Sequence, residues 1–540
     1  MITKLFKVAD KQIWQLLLYR KFALFVLCFS TIILVSCDKT KPLDNLPVFN
    51  RYAENVTFFS KILDRDVTFA LYFPDDYTTS KKRYGTVYLL HGWGDNQTAW
   101  IKGGSVNTII NDLETKGAID SYIYVMPYAL KSYYVNYYTD KYNYMDMFTK
   151  ELVPYIDSLY RTKAEANYRA VVGYSMGGYG AMILPYKHPE IFNISVPLSM
   201  SWRTHEQYCA EPQSVWDSQF GRIFGGEGLS GEARLTKYYL QHDPLTFFEN
   251  LSETQKKVKL WMDCGDDEEQ LSVTAVEIHA LLQKKEIPHH MRIRNGAHTW
   301  DYWHQGIREA LPFITKTMNG TSESEITEAT RFAKVLSGDN QQVDLSGCAL
   351  NITTPQKYNQ RTDSCHVIYL AYDSYENRVK ELQKTGLLLD SLQVDKNFIL
   401  VAFDPLQLSD KSITFSMLVD YINNNYRAKK KSYHRLIIGN QKSGEWVYNT
   451  ANIKPSLTQA VYLFNTKLPF QRALPTNEFY YLSTGDKSIT CTGLSQLYLD
   501  CRKQGISHQY RILNGNDSFD TFLYLLQESI PHIGLKLNKF

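Results

Sequence analysis

The chain alternates short, densely apolar runs with longer amphipathic ones, a pattern that predicts a mostly parallel α/β sheet. Thr86-Val87-Tyr88-Leu89-Leu90, residues 122–126, Ala170-Val171-Val172 and Leu260-Trp261-Met262-Asp263-Cys264-Gly265 read as strands. Near-continuous apolar runs of this kind suit strands buried on both faces. Residues 106–116, 145–161, 178–186 and 273–285 between them suit helices. Two alternating stretches, 55–63 and 65–73, precede all of these and suggest a β-hairpin.

The same order of elements recurs further along the chain. Val367-Ile368-Tyr369-Leu370 stands where Val87 to Leu90 stood, and 398–403 (FILVAF) matches 122–127. His434 to Gly439 tracks Tyr168 to Gly173, and Gly505 to Gly515 tracks Glu286 to Gly296. A polar stretch near 319–339 separates the two series and reads as a linker. A chain of 540 residues is too long for one core. The expected division is a first domain over 46–318, a linker over 319–342 and a second domain over 343–540.

Candidate chemistry sits at the strand ends of the first series. Gly173-Tyr174-Ser175-Met176-Gly177 places a serine in G-x-S-x-G between a strand and a helix. There the glycines permit a tight turn that exposes a nucleophile. His91-Gly92-Trp93-Gly94 follows another buried strand, where a glycine-rich turn can leave backbone N–H groups free for an oxyanion. Asp266-Asp267-Glu268-Glu269 ends a later strand and offers a carboxylate to orient a histidine. His298 follows the last strand, so the acid and histidine come after the serine in the order of α/β-hydrolases.

HGWGDN, GYSMGGYGA, DCGDDEE and IPHHMRIRNGAHTWDYW together resemble the esterase family that includes esterase D, feruloyl and acetyl-xylan esterases of carbohydrate esterase family 1, S-formylglutathione hydrolase and mycolyltransferases. The resemblance covers about residues 55–318 and implies an α/β-hydrolase fold with a serine esterase activity. Carried over, Ser175 is the nucleophile, His298 the general base and acid, and the amides of Trp93 and Met176 the oxyanion hole. The family's aspartate three residues after the strand glycine is here Glu268, with Asp267 as the alternative acid. Such a triad needs no metal and no organic cofactor. Acylated carbohydrate or a small ester is the implied substrate. A non-catalytic glycan-binding protein and an acyltransferase using the same triad are the alternatives.

In the second series the chemistry is gone. Gln441 stands at the position of Ser175, Ser488 at that of Glu268 and Asp517 at that of His298, while Ala371-Tyr372-Asp373-Ser374 replaces H-G-W-G. The expected architecture is therefore two α/β-hydrolase-like domains in tandem with doubly wound sheets, the second catalytically degenerate.

Charge narrows the partners. The formal net charge is +3, but residues 1–36 carry a net +4 and leave the remainder at −1. A nearly neutral body has no electrostatic footprint for nucleic acid. Those first residues run from a basic region ending at Arg20-Lys21 through an apolar stretch, 22–35, to Leu34-Val35-Ser36-Cys37. They read as a lipoprotein signal peptide (1–36) with Cys37 acylated, then a tether over 37–45. An exported protein on a lipid anchor in the bacterial cell envelope, at its periplasmic or outer surface, is the expected location. Six further cysteines show no C-x-x-C spacing for a structural metal.

Overall fold

The computed structural model describes residues 51–321, 339–355, 357–372, 385, 398–469 and 479–538. The leader, Cys37 and the tether lie outside these, as do most of the linker and the pair Asp373-Ser374.

Among the described residues, sixteen strands form one sheet. In the first half they are β1 (Tyr52–Ser60), β2 (Arg65–Tyr72), β3 (Gly85–Leu90), β4 (Tyr122–Pro127), β5 (Arg169–Tyr174), β6 (Ile194–Leu198), β7 (Lys259–Gly265) and β8 (His289–Arg294). In the second they are β9 (Asp339–Leu345), β10 (Cys348–Thr354), β11 (His366–Ala371), β12 (Phe398–Phe403), β13 (Arg435–Asn440), β14 (Ala460–Phe464), β15 (Phe479–Gly485) and β16 (Ser507–Leu513). The spatial order is β1-β2-β4-β3-β5-β6-β7-β8 followed by β16-β15-β14-β13-β11-β12-β10-β9. Each half thus has the same order read from its own outer edge. In the first half β1 and β2 are antiparallel and the strands from β4 to β8 run parallel. The halves meet where β8 and β16 pair antiparallel at Ile293 and Ile512.

Every residue of β3, β4 and β5 is buried, because side chains alternate between two covered faces. Tyr88, Leu90, Val125 and Val171 enter a core that runs beneath both halves. Val87, Leu89, Tyr124 and Val172 point into a second core on the opposite face. The helices that cover these faces include α1 (Val106–Thr115), α2 (Met176–Lys187), α3 (Glu269–Lys284), α4 (Trp300–Met318), α5 (Phe415–Asn425), α6 (Gln441–Ile453), α7 (Cys491–Lys503) and α8 (Phe519–Asn538). The first nine residues of α2 are all apolar, glycine or tyrosine and all are buried, as befits a helix enclosed on every side.

Two regions differ from the sequence pattern. Residues 199–258, between β6 and β7, form a cap of short helices around a buried aromatic group that includes Trp202, Tyr208, Trp216, Phe224 and Tyr239. Trp202 stacks on Tyr179 of α2 at 4.2 Å between ring centroids, which seats the cap against the sheet. The second half opens on the hairpin β9–β10, whose first strand begins at Asp339, ahead of the expected start at 343.

Candidate active site

The turn around Ser175 is fixed by backbone contact. A Cβ on Gly173 would lie 2.1 Å from the carbonyl oxygen of Gly177, and one on Gly177 would lie 2.3 Å from that of Leu90. Neither position admits a side chain, so strand β5, the turn and α2 pack backbone to backbone. Ser175 itself takes φ 56° and ψ −120°, a conformation costing on the order of 1–3 kcal/mol for a residue with a Cβ. It is held by Ser175 N–H donating to Leu198 O at 3.0 Å and Ser201 N–H donating to Ser175 O at 2.9 Å.

The acid and the histidine are in contact with each other. His298 Nδ1 lies 2.6 Å from Glu268 Oε2. A carboxylate can only accept, so Nδ1 carries a proton, and the tautomer this selects in a neutral ring is the one with the lone pair on Nε2. The Glu268 carboxylate is 1% exposed, whereas the His298 ring is 40% exposed and can face a reactant. Glu268 Oε1 accepts from Gly265 N–H at 2.9 Å and from the Ser199 hydroxyl at 2.5 Å. Trp303 Nε1–H in turn donates to Ser199 Oγ at 2.9 Å. Asp267 is exposed, and its amide donates to Gly296 O at 3.1 Å. Of the two candidate acids, Glu268 is the one on the histidine.

Trp93 lies on the turn after β3. Gly92 of that turn faces the serine, since a Cβ there would come 3.4 Å from Ser175 Cβ. His91 locks the turn in place. Its Nδ1–H donates to Gly92 O at 2.8 Å, and its Nε2 accepts Ala129 N–H at 2.9 Å. Burial holds its pKa down, to about 4, so the ring stays neutral. Met176 is the first residue of α2, and a helix's opening amides have no partner within the helix.

Ser199 and Trp303 were not singled out by the sequence pattern. Ser199 follows β6, a strand whose Pro197 argues against a central position, and its φ of 45° turns the hydroxyl back toward the acid. Trp303 had only aromatic packing to suggest a role. It does stack on Tyr174, at 4.4 Å, and also lies edge-on to His298 at 4.9 Å. The signal was its place one turn into α4, five residues past His298. The tyrosine-dense loop near 132–144 is mostly core: Tyr133, Tyr134 and Tyr144 are fully buried, and Tyr138 is largely exposed.

The three corresponding positions in the second half carry other side chains, and these are in contact. Gln441 has φ 51° and donates Nε2–H to Asp517 O at 2.5 Å. The Ser488 hydroxyl donates to the Asp517 carboxylate.

The Esterase family model, described as "Putative esterase", matches residues 60–314. An endo-1,4-beta-xylanase/feruloyl esterase of Xylanibacter ruminicola is 33% identical over 147 residues, 26% of this chain and 20% of the relative. The chain therefore spans one fifth of that relative's length. An acetyl esterase of Caldicellulosiruptor saccharolyticus is 22% identical over 275 residues, 48% of this chain and 97% of the relative. Among solved structures, a ferulic acid esterase is 26% identical with a TM-score of 0.42, covering 49% of this chain and 98% of its own. Residues 60–314 thus match the esterase family model, and these similarities support a carboxylic ester hydrolase domain there.

Proposed function

We propose that the protein is a serine carboxylic ester hydrolase that removes feruloyl- or acetyl-type acyl groups from carbohydrate. His298 Nε2 takes the proton of Ser175 as Oγ attacks the ester carbonyl. Glu268 holds the productive tautomer and offsets the imidazolium charge. The amides of Trp93 and Met176 receive the developing oxyanion. The alcohol leaves with the proton from His298, and water attacks the acyl-enzyme by the same route.

The observation that carries this reading is the 2.6 Å contact between Glu268 and His298, in a chain that also holds Ser175 in a strained strand-to-helix elbow. The carbohydrate part is supported by the name of one relative, an endo-1,4-beta-xylanase/feruloyl esterase, and the acyl part by that name and by an acetyl esterase's. We place the protein at the cell envelope on a lipid at Cys37, from its leader pattern. The second half we read as a degenerate hydrolase-like unit, supported by its strand order and by Gln441, Ser488 and Asp517 at the three site positions.

The test is hydrolysis of p-nitrophenyl acetate and methyl ferulate by the purified protein. Turnover of either that disappears in Ser175→Ala supports the reading, and wild-type rates in that variant would overturn it.

A further inference from the structure

The two halves are joined by two ion pairs that mirror each other. Arg292 on β8 donates from Nη1 to Asp486 Oδ2, beyond β15, at 2.7 Å. Arg511 on β16 donates from Nη1 to Asp266 Oδ2, beyond β7. Each aspartate's other oxygen accepts from a glycine amide of its own half, Gly296 N–H on Asp266 at 3.2 Å and Gly515 N–H on Asp486 at 3.1 Å. All four charged side chains are buried. Such a pair is a weak source of stability by itself, because desolvation of the charges offsets their attraction.

The two pairs hold different things. Asp266 stands two residues ahead of Glu268, and Gly296 two residues ahead of His298. Arg511 grips both loops at once, since its Nη2–H donates to Asn295 Oδ1 at 3.1 Å. Asp267 N–H donating to Gly296 O closes the space between them. On the same side, the Tyr498 hydroxyl of α7 meets the Ser272 hydroxyl at 2.8 Å, one turn into the helix that begins after Glu268. The pair of Asp486 holds the turn of the second half and the first residues of β8, where His290 Nδ1 lies 3.3 Å from Oδ2 and Met291 N–H donates to it at 3.4 Å, and touches neither the acid loop nor the histidine loop.

We propose that Arg511 is a positioning residue for ester hydrolysis: the second half supplies a guanidinium that fixes the acid loop against the histidine loop. The assignment rests on the triad reading above. A planar fork can bridge two loops in a set geometry, which an ammonium does less well. Burial raises the Asp266 carboxyl above its usual range, and Arg511 opposes that shift, so loss of the guanidinium also changes the charge on the acid loop. A displacement of about 1 Å at a reacting group can cost roughly 100-fold in rate.

The experiment compares Arg511→Gln with Asp486→Asn in the full chain, following p-nitrophenyl acetate hydrolysis and thermal unfolding. Each variant removes one member of a mirror-related pair, so both should lower the melting temperature. Arg511→Gln should lower kcat about 10- to 100-fold with KM within about twofold, while Asp486→Asn keeps kcat within about twofold. Arg511→Lys should recover part of the loss. Asp266→Asn, which retains an oxygen for the Gly296 amide, gives a second route to the same loss if Arg511→Gln does not fold. Folded Arg511→Gln or Asp266→Asn protein with wild-type kcat would overturn the proposal, as would equal losses in the Arg511 and Asp486 variants. Failure of the triad reading shows separately, as undiminished turnover in Ser175→Ala.

Discussion

The two halves share a backbone and differ in what the backbone carries. Ser175 and Gln441 both sit at φ above +50°, and Ser199 and Asn465, at the ends of β6 and β14, both sit near +45°. A Cβ on Gly265 would strike the carbonyl oxygen of Gly296 at 2.1 Å, and one on Gly485 would strike that of Gly515 at 2.4 Å. The hydrogen bonds inside this frame are different. Gly265 N–H donates to Glu268, but Gly485 N–H donates to Asn465 Oδ1 at 3.0 Å, because Ser488 is too short to reach it. The tight turns are thus set by packing of strand against helix and persist without a nucleophile. The carboxylate is what converts the frame into a site, because it accepts both the buried amide and the imidazole.

That contrast predicts its largest effect at the elbow. Ser175→Ala should lower kcat by roughly 10³- to 10⁶-fold, while Gln441→Ala leaves turnover of p-nitrophenyl acetate unchanged. A loss of rate in the Gln441 variant, with folding intact, would show that the second elbow takes part in the chemistry. Next comes the acid. Glu268→Gln can offer an N–H to Nδ1 and so stabilise the unproductive tautomer, with a loss on the order of 10⁴ in kcat. Asp267→Asn, at an exposed side chain, should stay within about twofold. The reverse order would make Asp267 the working acid despite the contact of Glu268 with the imidazole.

His91 has no titratable counterpart in the second half, where Ala371 stands at its position. Its Nε2 accepts an amide N–H, so protonation would set donor against donor. The folded pKa of about 4 lies below the ordinary 6.5, which means the unfolded chain takes up the proton first. The stabilisation is therefore full above about pH 6.5 and is lost as pH falls toward 4, by about 3 kcal/mol in all. Urea titrations at pH 7 and pH 4 measure it. His91→Ala should show a cavity cost at both pH values and lose most of this acid-dependent part. An unchanged difference between the two pH values would assign the acid sensitivity to other groups.

How much of this was legible in the sequence follows from the range of the interactions. Strands β3, β4, β5 and β7 announce themselves because burial on both faces demands an unbroken apolar run. Gly173 and Gly177 mark the elbow because only glycine fits the approach of α2 to β3. The serine, the histidine and the acidic run follow strand ends in a fixed order, so the contact of the acid with the histidine could be anticipated. Strand β6 could not be read so easily, since Pro197 sits within a central strand opposite Gly173. With β6 unassigned, Ser199 had no strand end to belong to. The cap over 199–258 was hidden because its helices are only three to six residues long and are held by tertiary aromatic contacts rather than by their own periodicity. The reciprocal arginine–aspartate pairs required the halves to be placed side by side.

The smallest predicted effect tests how far the support of the acid extends beyond its own turn. Trp303 corresponds to Phe522, which is buried against Phe464 at 5.5 Å and has no donor to offer. Trp303→Phe gives the first half the residue of the second at this one position. The ring face toward His298 and Tyr174 is largely kept, and the N–H to Ser199 Oγ is lost. Ser199 can still donate to Glu268, but nothing then fixes the rotation of its hydroxyl. One neutral hydrogen bond contributes about 1 kcal/mol, so kcat/KM should fall about fivefold with KM little changed. Ser199→Ala should cost more, since it removes a donor from the carboxylate itself. If Trp303→Phe matched the wild type while Ser199→Ala did not, the serine would be oriented by its own backbone turn at φ 45°, a feature both halves possess. The indole would then be packing alone, and the difference between the halves would narrow to the carboxylate, the imidazole and the serine.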